Sequence, residues 1–180
     1  AGVYKIDSLT GTPQATGVPP GLDVQLAKSG GSGFMAIDSQ VGYRVAFIRI
    51  DANGQEFISE PSFQEVLVNA AAGATCNVTV TLTIPSGLTT SDYYEVYRTA
   101  CSATDDVEPG DRHRLVERVQ IATADITNGY ATFTDDYADG ELGEDLYTNP
   151  LLETGISLNS RPPYAEHIAA WNGHLWFANT

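Results

Sequence analysis

The chain has 180 residues, with 9 Lys and Arg against 23 Asp and Glu, for a formal net charge of −14. That length supports one domain with a real hydrophobic core and room for appendages, while the charge excludes tight nucleic-acid binding and a polybasic membrane-surface binder. A hydrophobic content of 42% excludes a disordered acidic tail, and no apolar run is long enough for a stable helical membrane anchor.

In chain order, residues 1–35 read as an N-terminal arm and flexible linker. Residues 10–33 are rich in Gly, Pro, Ser and Thr and end in Ser29-Gly30-Gly31-Ser32-Gly33. Ala1 is not followed by a basic and then apolar leader, so no signal peptide is expected in these residues. Residues 36–148 carry the strand signals. Tyr43 to Ile50 is apolar on both faces apart from its arginines, as a central strand would be. Asp51-Ala52-Asn53-Gly54 supplies an Asn-Gly turn, because both positions tolerate positive φ. The return runs through Phe57-Ile58, breaks at Glu60-Pro61-Ser62 and resumes from Phe63 to Val68. A proline there marks an edge or a bulge.

Asn77 to Ile84 alternates polar and apolar without error, the pattern of a half-buried strand. In the next strand, Tyr93 to Thr99, Tyr94 and Val96 share one face and Tyr93, Glu95 and Tyr97 the other. Leu115 to Ile121 and Tyr130 to Thr134 have the same character, with a turn of helix expected at 123–127. Residues 149–180 then read as a linker and the first hairpin of a following domain. Its strands, Ile168 to Trp171 and His174 to Phe177, flank Asn172-Gly173 and hold both tryptophans of the chain. An isolated hairpin is marginal in water and needs something to pack on.

Cys76 and Cys101 fit neither a zinc knuckle nor a redox pair. Two semi-buried thiols and a cross-strand disulfide both remain open, since the two strands face each other only if they share a sheet. There is no nucleophile elbow and no phosphate loop, and His113, His167 and His174 lack a partner pattern. His167 and His174 are close enough in sequence to meet across the terminal hairpin, but a metal would need more ligands. No catalytic residue, resident metal or cofactor is expected. Asp135, Asp136, Asp139 and Glu141, with Glu144 and Asp145, are the nearest approach to a Ca2+ site. The calcium-loop template nonetheless fails at Leu146 and Tyr137.

Residues 101–149 hold 12 acids and 3 bases, net −9, so most of the charge belongs to one stretch expected to face solvent or a channel. Arg112, Arg114 and Arg118 read as members of surface pairs. Asn77-Val78-Thr79 matches a glycosylation sequon, a frequent chance match. Tyr93 and Tyr97 offer either a sugar-stacking platform or cross-strand packing.

Val78 to Pro85 followed by Tyr93-Tyr94-Glu95-Val96-Tyr97-Arg98 resembles the B and C strands of fibronectin type III domains. The resemblance makes 115–119 strand C′ and 131–135 strand E. It also makes the Tyr43 hairpin the F–G pair, which here precedes B. The implied fold is all-β, an immunoglobulin/fibronectin type III-like sandwich with a permuted order or two partial domains, followed by a propeller-like hairpin. The Tyr43 hairpin, Ile84-Pro85, Tyr97-Arg98-Thr99, Leu142 to Pro150 and Pro162-Pro163 to Trp176 together resemble a bacteriophage virion protein pattern of the nozzle, hub or fibre type. This implies a non-enzymatic structural part of a phage tail, located in the virion, whose partners are other tail proteins and copies of itself in a ring. Its interface anchors would be Phe57, Phe63, Tyr93, Tyr97, Trp171 and Trp176, because aromatics anchor interfaces. The alternative is a carbohydrate-binding or adhesin module of a secreted or surface protein.

Overall fold

Two antiparallel sheets face each other across one hydrophobic core, in a computed structural model that describes residues 4–5, 14–15, 17–51, 53–146, 166–172 and 174–178. The short strands β1 (Tyr4–Lys5) and β2 (Gln14–Ala15) pair with each other. The first sheet is formed by β3 (Val24–Ser29), β7 (Asn77–Thr83) and β10 (Tyr130–Asp135), with β7 in the centre. The second is built on β4 (Ser39–Ile50). On one side β4 meets β5 (Glu56–Ile58) and β6 (Glu65–Asn69), and on the other β8 (Tyr93–Arg98) followed by β9 (Arg114–Gln120). A helix α1 (Thr123–Asn128) leads into β10, and β11 (His167–Trp171) pairs with β12 (His174–Ala178).

The alternation read from sequence sets the core. Val78, Val80 and Leu82 of β7 are buried against Val41, Tyr43, Val45 and Phe47 of β4 and Tyr94 and Val96 of β8. β4 is buried on both faces except at Gln40, Arg44 and Arg49 and at its last residue, Ile50, as its central place requires.

The break at Glu60-Pro61-Ser62 has a specific repair. Proline has no N–H to give the ladder, so two serines serve β4 instead. Ser59 Oγ accepts from Phe47 N at 2.9 Å and Ser62 Oγ from Val45 N at 3.0 Å. The edge is thereby split into β5 and β6 without leaving β4 unsatisfied.

The structure corrects or decides four readings. Residues 24–29, assigned to a flexible linker, form β3 and pair with β7 from Val24↔Leu82 to Ser29↔Asn77. The sandwich therefore reaches back to buried Val18, ahead of the boundary expected at 36. Second, the Asn53-Gly54 pair does form a tight hairpin turn, but with positive φ at one position and not at both. Asp51 Oδ1 accepts from both Asn53 N and Gln55 N, at 2.8 and 2.9 Å, and only Gly54 of the pair has positive φ, 78°. Third, of the two readings left open for the cysteines the structure has the free thiols: the strands next to Cys76 and Cys101 lie in different sheets, with Cys76 buried and Cys101 half-buried. Fourth, His167 lies opposite Ala178 and His174 opposite Trp171, so the two histidines are not cross-strand partners. The linker expected over 149–165 lies outside the described residues, and no helix among those described is long and apolar enough to cross a membrane.

Candidate functional site

The six aromatic candidates do not form one patch. Tyr97 is buried, with Ala46 and Leu146, in a small second cluster on the outward face of the five-stranded sheet. Ile58 and Leu115 pack against that cluster. The Tyr97 hydroxyl donates to Glu95, itself buried, whose other oxygen accepts from Arg118 Nε at 2.7 Å. Arg118 also holds Glu56 at 2.8 Å. Burial, reinforced by the Glu95 carboxylate, pushes the Tyr97 phenol far above its ordinary range. Tyr97 is therefore neither an interface anchor nor half of an open stacking platform, and Tyr93 beside it is half-buried.

The other four are open. Phe57 on β5 is 38% exposed, while the Phe63 ring between β5 and β6 is 93% exposed. Trp171 and Trp176 are exposed by 69% and 56%. The register sets Trp171 opposite His174 and Trp176 opposite Ala169. Because positions 169 and 171 point the same way, both tryptophans lie on one face of the β11–β12 hairpin.

Sequence reading missed the largest polar feature, a buried cation. Arg98 shares the strand parity of Tyr94 and Val96, so it points between the sheets, where it is fully buried. Its Nε lies 2.8 Å from Asp135 Oδ2, an ion pair whose N–H direction misses hydrogen-bond geometry. Its other nitrogens donate to Asp139, to the Tyr137 carbonyl at 2.8 Å and to the Thr99 carbonyl. The guanidinium lies 3.9 Å from the Phe34 ring centroid. Asp135 also accepts from the Tyr43 hydroxyl at 2.7 Å and from Tyr137 N. Burial raises the Asp135 carboxyl above its ordinary value despite the opposing pull of Arg98. The signal was the parity: an arginine in register with two core positions.

This network changes the reading of the acidic stretch. Asp135 is buried rather than facing solvent, Asp139 pairs with Arg98, and Glu141 accepts from Ala138 N at 2.7 Å. Three of the four carboxylates considered for Ca2+ thus already have donors, and Asp136 is exposed. Among the described residues no three His, Cys, Asp or Glu side chains are arranged to hold a metal ion. The segment after β10 is strapped down. Arg114 donates to the carbonyls of Asp139, Leu142 and Gly143, Arg112 pairs with Asp145, and Gly143 N and Leu146 N bond to β9 and to His113. His113 is buried and donates from Nδ1 to Asp111, and burial lowers its pKa. In the sequon, the Asn77 Oδ1 is buried.

No protein-family model, curated protein or solved structure matches this chain.

Proposed function

We propose that this chain is a non-catalytic structural component of a bacteriophage tail, of the nozzle or hub type, working through subunit assembly in the virion. The sandwich would be the immunoglobulin/fibronectin III-like module and the β11–β12 hairpin the opening of a propeller-like domain. The observation that carries the assembly reading is the hairpin: Ile168, Trp171 and Trp176 are exposed by 47%, 69% and 56% on a two-stranded element. Such an element is marginal in water by itself, and large aromatics on a regular strand face are effective interface anchors. The tail assignment rests on the sequence resemblance. The sugar-binding alternative is weakened because buried Tyr97 leaves Tyr93 without a stacking neighbour.

Mass photometry of the purified 180-residue chain tests the reading. Discrete oligomers are expected, and the double substitution Trp171→Ala/Trp176→Ala should return them to monomers without shifting the melting of the sandwich. A wild-type chain that stays monomeric, or oligomers indifferent to the double substitution, would count against it.

A further inference from the structure

We propose that Phe63 is a preorganised anchor for a different protein chain, one that presents an apolar surface rimmed by lysine or arginine. The proposal deepens the assembly reading and rests on it, by assigning this face to a non-identical partner. Exposure of the ring is not the result of a loose loop. On its N-terminal side, Ser62 N donates to the Val45 carbonyl at 2.8 Å and Ser62 Oγ accepts from Val45 N at 3.0 Å. On its C-terminal side, Gln64 is half-buried and Glu65 pairs with Tyr43. The backbone is fixed on both sides while the side chain is 93% exposed. An anchor held in this way loses little further backbone entropy when a partner covers it, leaving only the two side-chain torsions of the ring to be ordered.

Beside the ring runs a groove of about 290 Å³ lined by Gly21, Leu22, Asp23, Val24, Phe63 and Glu65. Its two walls are tied by Gly21 N donating to the Glu60 carbonyl at 2.8 Å. They come that close because Gly21 has no side chain: a Cβ there would lie 2.2 Å from the Val45 carbonyl oxygen. Leu22, 41% exposed, adds apolar surface on the far wall.

Charge decides the occupant. Among the described residues, the ionisable ones of the lining are Asp23 and Glu65, no cation lines it, and neither carboxylate is in an ion pair. A second copy docked by the same face would bring like charges together around the two rings, which costs binding. A partner with cations around an apolar centre satisfies both features.

The probe is the heptapeptide acetyl-Lys-Leu-Lys-Leu-Lys-Leu-Lys-amide, titrated into the full chain and followed by backbone amide shifts, with the matching Glu-Leu peptide as control. The proposal expects shifts at residues 21–24 and 63–65. It also expects at least tenfold weaker binding in Phe63→Ala and in Asp23→Asn/Glu65→Gln, and weakening by added salt. Phe63→Ala should keep the wild-type melting temperature, since the ring contributes little to the core. Equal binding of the Glu-Leu peptide, shifts confined to other surfaces, or full binding by Phe63→Ala would overturn it. So would self-association that Phe63→Ala abolishes. Failure of the assembly reading is seen separately, in the response of oligomers to the Trp171 and Trp176 substitutions.

Discussion

Replacing Arg98 by Met keeps most of the side-chain volume and removes the charge, leaving Asp135 buried without its cation. Asp139, 52% exposed at its side chain, can turn to water, so the cost concentrates on Asp135. Removing one partner of a buried ion pair costs about 3–5 kcal/mol. The residual donors, the Tyr43 hydroxyl at 2.7 Å and Tyr137 N at 3.1 Å, remain to soften it. In a domain of this size that loss lowers the melting temperature by on the order of 10 °C. The pH dependence gives a sharper check. The Asp135 carboxyl is already raised by burial. The folded state therefore takes up its proton more readily than the unfolded chain does, and this group's contribution to stability declines as pH rises from about 4. Without Arg98 the folded pKa climbs further, so the variant's deficit at about pH 7 should shrink at about pH 5 as Asp135 becomes neutral. Urea unfolding of wild type, Arg98→Met and Arg98→Met/Asp135→Asn at both pH values measures this. The double variant should recover most of the loss at neutral pH. A single variant that loses under about 1 kcal/mol, or a deficit that does not narrow in acid, would refute the reasoning.

Two further predictions test packing and burial elsewhere. Gly21→Ala would place its Cβ 2.2 Å from the Val45 carbonyl oxygen and 2.4 Å from Ser62 N, both backbone atoms. It should destabilise by about 1–3 kcal/mol in the same unfolding assay. The second concerns alkaline pH. Tyr43, Tyr94 and Tyr97 all have phenols raised by burial, Tyr94 to about 12. Because the unfolded chain ionises first, their contribution is complete below about pH 10 and is lost above it. Ultraviolet titration should show these three ionising only as the fold is lost.

The resemblance to a tail protein is tested by assembly, and the buried polar network bears on that question only by exclusion. The most buried charges, Arg98, Asp135, Asp92 and Glu95, are each in an ion pair within the chain. The acidic stretch is folded back by Arg98, Arg112 and Arg114. What the sandwich leaves for other molecules is the open Phe63 ring with the Asp23 and Glu65 carboxylates beside it.

The local pattern of the chain determined most of the strands. Alternation at 77–84, double-sided apolarity at 43–50 and the break at Pro61 are each visible in a few residues, because a strand's two faces repeat every second position. β3 was hidden because Gly and Ser on its flanks read as linker, although Val24 and Leu26 alternate and need only β7 beside them. Only the tertiary structure decided which outward aromatics are covered. Tyr97 is buried by Leu146 and Ile58, and Leu146 comes from a distant strap, while Phe63 stays open at the edge of its groove. It likewise decided that Arg98 belongs to the core, since its anionic partners Asp135 and Asp139 arrive from the far end of β10. Periodicity gives the direction of a side chain, but burial and charge pairing depend on what the rest of the chain places opposite it.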